Sequence, residues 1–303
     1  MVTRRRAIAV LAGIGGAWAL ARPALSGPAA ADPVPGLLEL AYSDRSPRNR
    51  LDLHRPSGPG PFPVLLDIHG GGFLTGDKRQ LAVPQPVLDA GIAVARMNYR
   101  LSNQAIWPAQ QEDVLTAAGF LQARADDLGL APGRLALGGR SAGAFMAVSA
   151  AISMAQAGHP PAAVVDFYGP MDFGSMDADM AALGIAFKRP PADAAESVES
   201  QLIGYAVGAR RAEATAMGPV GRLATLEGLR LPPLMIRHGL ADSIVSAGQA
   251  ERLRRAWHRA DPAAEIDFAL LPQDGHGTAG FASPEQLAQL AGFLSRHLGG
   301  TEG

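Results

Sequence analysis

The 303-residue chain contains no cysteine, which excludes disulfides, a thiol nucleophile and cysteine-ligated metal centres. Charge is sparse as well. Only 18% of residues are charged, and the formal net charge is -1. Arg4, Arg5, Arg6 and Arg22 lie in an N-terminal stretch devoid of acids. Beyond it the chain is net acidic, without the basic footprint that a nucleic-acid partner requires. Long apolar runs are also missing. The stretch Ala7 to Leu20 is shorter than the roughly 20 residues that a membrane-spanning helix needs. What the chain does have is 36 glycines and 24 prolines on a 48% hydrophobic background. That is enough apolar surface for a large core without covalent staples.

The N-terminus is built in three parts: a basic start at Thr3 to Arg6, the apolar stretch Ala7 to Leu20, and small residues at Ala29, Ala30 and Ala31. This pattern predicts a signal peptide over residues 1–31 and a mature chain beginning near Asp32. The adjacent arginines behind Thr3 resemble a bacterial twin-arginine export signal, although Ala7 stands where that pattern prefers a bulkier apolar residue. The expected location is periplasmic or extracellular, with no stable membrane anchor once the leader is removed. An uncleaved anchor is the alternative.

From Leu37 onward, β-rich apolar runs alternate with Ala/Leu-rich segments of helical period, which predicts a single α/β domain over residues 32–303. The strand candidates are Leu37 to Tyr42, Arg50 to Leu53, Val64 to Ile68, Ile92 to Met97, Leu135 to Leu137, Ala163 to Phe167, Leu234 to Arg237 and Ile266 to Leu271. The helix candidates are Pro108 to Leu128, Ala142 to Ala157, Ser246 to Ala260 and Pro284 to Leu298. The expected architecture is a mostly parallel eight-stranded sheet with helices on both faces. Residues 171–231 break the rhythm and predict a helical, cap-like insertion after the sixth strand. Its apolar residues Met176, Met180, Phe187, Tyr205 and Met217 either face a substrate or pack the insertion's own core.

The motif Gly139-Arg140-Ser141-Ala142-Gly143 directly follows an apolar strand and opens an Ala-rich helix. A nucleophile on so sharp a turn needs small neighbours, and the glycines two positions to either side supply the room. The helix N-terminus behind Ser141 favours developing negative charge. A second element, His69-Gly70-Gly71-Gly72-Phe73, ends the strand Val64 to Ile68. Its glycine amides are candidate donors to an oxyanion: Gly71 and Gly72, partnered by Ala142. No phosphate-cradle pattern follows these glycines, which argues against a nucleotide site.

A serine hydroxyl needs a base, usually a histidine oriented by a carboxylate. His276, on a glycine-flanked loop after the last strand, is the candidate base, and Asp242, after His238-Gly239, is the candidate acid. His69 and His238 also adjoin strand ends, and each is expected to brace its own loop. Asp166 and Asp172, near the end of the sixth strand, are alternative acids. Asp113 reads as a scaffold charge. The order Ser141, Asp242, His276 is that of the α/β-hydrolases.

Together, His69-Gly70-Gly71-Gly72-Phe73, Asn98-Tyr99-Arg100-Leu101-Ser102, Gly139-x-Ser141-Ala142-Gly143, His238-Gly239-x-x-Asp242 and Gly275-His276-Gly277 resemble the hormone-sensitive-lipase-like esterases. Within them the chain is most similar to bacterial feruloyl and acetyl-xylan esterase-like proteins. The resemblance runs from about Leu51 to Leu298. It implies an α/β-hydrolase fold and hydrolysis of small-molecule carboxylic esters without metal or organic cofactor. Arg140 departs from the acid or small polar residue common at that position, and Ser246 from a common proline. Two other readings are a peptidase of the same fold and a non-catalytic binding protein. The roughly 30 residues between the expected leader and the first core motifs are too few for even one ~40-residue propeller blade of the kind such peptidases carry. No triad member is missing, as a non-catalytic relative would require.

Overall fold

The computed structural model describes residues 37–186, 188–226 and 228–299. The expected leader lies outside the described residues, as does Phe187. Among the described residues no helix is long and apolar enough to cross a membrane.

Strands buried on both faces read as near-continuous apolar runs, and the sheet is assembled from such runs. The strands are β1 (Leu37–Ala41), β2 (Arg50–His54), β3 (Phe62–Ile68), β4 (Ala93–Met97), β5 (Leu130–Arg140), β6 (Ala163–Phe167), β7 (Leu234–Gly239) and β8 (Ile266–Leu271). They form one eight-stranded sheet in the order β1-β2-β4-β3-β5-β6-β7-β8. The β1–β2 and β2–β4 pairs are antiparallel and the remainder parallel. The architecture is the one expected. Because successive side chains alternate faces, Leu66 and Ile68 of β3 enter one apolar cluster while Leu65 enters the other.

The helices are α1 (Gln85–Asp89), α2 (Ala109–Ala123), α3 (Ala125–Leu128), α4 (Ala142–Gln156), α5 (Met176–Leu183), α6 (Val198–Ile203), α7 (Arg211–Met217), α8 (Pro219–Leu223), α9 (Gly248–Ala260) and α10 (Pro284–Leu298). Helices α2, α4, α8 and α9 feed the larger cluster through residues such as Val114, Phe145, Leu223 and Trp257. On the opposite face α1 and α10 contribute Val87, Phe293 and Leu294. Helix α4 is buried almost all round, as its lack of charged residues dictates. Helix α10 starts where its sequence says it should. The Ser283 hydroxyl accepts from the Gln286 amide, Pro284 follows in the first turn, and Gly299 ends the helix in the left-handed region.

Three elements differ from expectation. The predicted helix Pro108 to Leu128 breaks at Arg124, which has φ -111° and ψ 16°; the break turns Ala125 and Leu128 into the core. Strand β5 begins at Leu130 rather than Leu135, because the exposed Pro132-Gly133-Arg134 is a bulge whose two flanks both pair with β3. The five-residue α1 has no counterpart among the expectations, being too short to display a period. Between β6 and β7 the described residues form α5, α6, α7, α8 and two short 3-10 turns. Met176 and Met180 are buried and Met217 packs against the core, so these residues build the insertion instead of facing the cavity described below.

Candidate active site

Open α/β sheets gather ligands at the carboxyl ends of their strands, and all the candidate residues sit there. Ser141 occupies the turn between β5 and α4 with φ 54° and ψ -122°, a conformation that costs energy for any residue with a Cβ. The turn is possible because its walls are glycine. A Cβ on Gly139 would lie 2.3 Å from the carbonyl carbon of Gly143, and one on Gly143 would lie 2.1 Å from the Ile68 oxygen. The Ser141 amide is pinned by donating to the Phe167 carbonyl at 2.8 Å.

The Ser141 hydroxyl lies 2.8 Å from His276 Nε2, and His276 Nδ1 lies 2.7 Å from Asp242 Oδ2. An ionised carboxylate only accepts, so Nδ1 carries the proton and Nε2 is left to accept from Ser141. Asp242 is fully buried. Burial opposes its charge, but N–H donors from His238 and His276 outweigh that cost and hold the carboxyl far below the ordinary range. Its other oxygen accepts from the amides of Ile244 at 2.8 Å and Val245 at 2.9 Å. The alternative acids are elsewhere engaged. Asp166 accepts from the Gly169 amide and Asp172 from the Thr215 hydroxyl, and neither is hydrogen-bonded to His276.

The glycine loop after β3 is held open by strain and bracing. Gly71 has φ 112°, and a Cβ there would fall 2.2 Å from the Thr75 carbonyl oxygen. Its own carbonyl accepts from the amides of Leu74 and Thr75. The amides of Gly71, Gly72 and Ala142 have no acceptor among the described residues, and all three residues line a cavity of about 390 Å³ that also contains Ser141 and His276. Phe73, itself at φ 62°, anchors the loop by packing edge-on against the stacked rings of Phe145 and Phe173.

His69 braces this loop, as expected: its Nδ1 donates to the Gly70 carbonyl at 2.7 Å and its ring stacks on Tyr99 at 4.4 Å. Burial, with Arg48 nearby, pushes its pKa down to about 4. The Asn98 to Ser102 segment packs beneath. Tyr99 Oη donates to the His69 carbonyl, and Arg100 is clamped by buried Asp113. Asp113 is thus a scaffold charge. Ser246 is buried, and its hydroxyl accepts from the Gly248 amide at the start of α9.

Two contacts have no counterpart in the sequence motifs. His238 braces its own loop through Val245, as expected, but its Nε2 also lies 3.3 Å from Asp242 Oδ2. Tyr168, immediately after β6, packs its ring edge against His276 at 4.8 Å, and burial pushes its hydroxyl up to about 12. Its only signal in the sequence is its place at the end of the apolar run Ala163 to Phe167. From the insertion, Arg189, Val198 and Glu199 reach the cavity wall. Among the described residues no group of three or more acidic or histidine side chains is arranged to hold a metal ion.

A sequence model of the BD-FAE family matches residues 51–257, more than half of the chain. The chain belongs to the BD-FAE family. The protein named probable carboxylic ester hydrolase LipM of Mycobacterium tuberculosis is 26% identical over 288 residues, covering 88% of this chain and 63% of that protein. The chain therefore spans less than two thirds of that relative's length. Among solved structures, a truncated carbohydrate esterase from gut microbiota superposes with a TM-score of 0.73 at 23% identity, covering 86% of this chain and 95% of that one. An esterase of the bacterial hormone-sensitive lipase family gives a TM-score of 0.65 at 25% identity, covering 86% of this chain and 84% of that one. These likenesses establish the α/β-hydrolase fold for this BD-FAE member.

Proposed function

We propose that the protein is a serine carboxylesterase in which Ser141 is the nucleophile, His276 the general base and acid, and Asp242 the group that orients His276. The observation that carries this reading is the unbroken chain of two hydrogen bonds, 2.8 and 2.7 Å, from the Ser141 hydroxyl through His276 to Asp242. Ser141 Oγ attacks the ester carbonyl carbon as its proton passes to His276 Nε2. The carbonyl oxygen becomes an oxyanion, and the unengaged amides of Gly71, Gly72 and Ala142 are available to receive it, each such donor being worth roughly 2.7–4 kcal/mol in comparable sites. His276 then protonates the departing alcohol, leaving the acyl group on Ser141. Water, giving its proton to His276, attacks the acyl-enzyme; His276 returns that proton to Ser141 Oγ as the ester bond to the serine breaks and the carboxylic acid leaves.

Membership of BD-FAE and the ester-hydrolase names of its relatives support the same chemistry. The insertion supplies part of the cavity wall and so takes the role of a cap. The basic, apolar and small-residue succession at the N-terminus supports export by the twin-arginine route, which would deliver the enzyme to extracytoplasmic esters.

Ser141→Ala is expected to lower turnover of p-nitrophenyl butyrate by at least about a thousandfold. An organophosphonate should add its mass to the Ser141 peptide alone. Undiminished turnover in the variant, or labelling elsewhere, overturns the assignment.

A further inference from the structure

The residue preceding the nucleophile is an arginine that the reaction described above does not use. Arg140 donates from Nη1 to Asp67 Oδ1 at 2.8 Å, and its guanidinium lies 5.3 Å from the Phe167 ring centroid. Asp67, however, already has a partner. Arg96 Nε faces its other oxygen at 3.4 Å, and both Asp67 and Arg96 are buried. One carboxylate is thus shared by two guanidiniums. The neighbouring pairs give no relief, because Asp52 and Glu39 are matched by Lys78 and Arg79. One positive charge is left over.

That excess charge belongs to the side chain which lines the cavity. Arg140 forms part of the wall beside Ser141, with its side chain 14% exposed. Its Nε and Nη2 have no acceptor among the described residues. The other guanidinium in the wall, that of Arg189, is matched by Glu199 at 3.2 Å and donates to the Ile244 carbonyl. The Asp242 carboxylate is satisfied by two imidazoles and two amides and accepts from no guanidinium among the described residues. A planar fork of donors with a fixed charge, held in place by a buried carboxylate and an aromatic face, is the arrangement that recognises a carboxylate.

We infer that Arg140 makes the cavity selective for esters carrying a carboxylate on the acyl or the alcohol side, bound by the guanidinium donors that Asp67 leaves unused. This rests on the carboxylesterase reading above and narrows its substrate class. The selectivity is a property of the wall beside the nucleophile, so it acts on which ester is presented to Ser141 and leaves the order of chemical steps unchanged.

Two matched substrate pairs test it with the purified protein. On the acyl side, 4-nitrophenyl hydrogen adipate is compared with 4-nitrophenyl methyl adipate. On the alcohol side, 4-butyryloxybenzoate is compared with its methyl ester. In at least one pair the anionic member should have a kcat/KM about tenfold higher, the scale of one charge-assisted hydrogen-bond pair. The pair that responds identifies the side of the scissile bond Arg140 reads. Arg140→Gln should abolish or reverse the preference and Arg140→Lys retain part of it; the Asp67–Arg96 pair remains to support the fold in both. Should Arg140→Gln fail to fold, raising salt from about 0.05 to about 0.5 M should selectively depress turnover of the anionic ester by the wild-type protein. Equal or lower turnover of the anionic member in both pairs, or an unchanged ratio in Arg140→Gln, overturns the inference while leaving the esterase reading intact. No turnover of any of the four esters removes the esterase reading itself.

Discussion

His69 and His238 carry the same local signature, a histidine followed by glycine at the end of a buried strand, yet the two loops they hold are stabilised by opposite logic. His69 sits under the glycine loop with its Nε2 lone pair 3.5 Å from Arg48 Nη2, an arrangement that only a neutral ring can satisfy. His238 sits under the Asp242 loop and points an N–H toward a carboxylate. The difference lies in the groups each strand neighbour supplies. Next to β3 the available partners are a guanidinium and carbonyls, whereas next to β7 they are an aspartate and the Val245 carbonyl. A loop whose amides are left without acceptors among the described residues is held by a group that stays uncharged. A loop that must hold a negative charge is held by donors.

The comparison is broken most severely by neutralising the carboxylate on the β7 side. In Asp242→Asn the amide can donate to Nδ1, which favours the tautomer whose Nε2 bears a proton and so cannot accept from Ser141. A loss of about 10⁴-fold in kcat is expected, with little change in KM. Stopped-flow measurement of acyl-enzyme formation and breakdown checks this directly, since His276 is the base in both steps. A loss smaller than tenfold would mean that another carboxylate orients His276.

The β3 side should fail with pH instead. The folded protein holds His69 at a pKa of about 4, by burial and by Arg48, against an ordinary value of 6.5. The unfolded chain therefore binds a proton between those values that the folded chain does not. The stabilisation is fully present above pH 6.5 and is lost as pH falls toward 4, by an amount on the order of 3 kcal/mol. Urea denaturation at pH 7 and near pH 4.5 should show the drop. In His69→Phe, which keeps a ring against Tyr99 but cannot titrate, the drop should shrink even though the variant starts less stable at pH 7. An equal drop in both proteins would place the titrating group elsewhere.

Much of this organisation is legible in the amino-acid sequence, and the parts that are not have a common cause. Strands buried on both faces announce themselves as apolar runs, and Ser283, Pro284 and Gly299 mark α10 with local capping chemistry. Ser141, Asp242 and His276 stand out because each lies on the loop just beyond the carboxyl end of a strand, and strand ends are visible as the edges of apolar runs. Strand β5 looks shorter in the sequence than it is because Pro132 and Gly133 resemble a loop, and only the pairing with β3 across them reveals a bulge. The charge sharing of Asp67 by Arg96 and Arg140 joins three strands. The approach of Tyr168 to His276 joins two loops more than a hundred positions apart in the chain. Such contacts follow from strand order, and strand order is not written in any local run.

The smallest effect, and the sharpest probe of the comparison, is expected at His238. Its Nε2 proton is shared between the Val245 carbonyl at 2.9 Å and Asp242 Oδ2 at 3.3 Å, while Nδ1 has no partner among the described residues. The longer distance makes it the weaker of the two imidazoles on Asp242, the His276 contact being 2.7 Å. In His238→Phe the ring volume stays but the donor is lost, so Asp242 keeps His276 and its two amides and loses one stabilising bond. A fall in kcat of about tenfold is expected, the scale of one hydrogen bond to a charged group. A purely structural role for His238 would lower the melting temperature without changing kcat. A share in orienting Asp242 predicts the tenfold fall in kcat with KM unmoved, and His238→Gln, which can restore an N–H donor, should recover most of it. Unchanged kcat in His238→Phe would make His238 a brace of its own loop and nothing more, and the two histidine-glycine turns would then differ in partners but not in purpose.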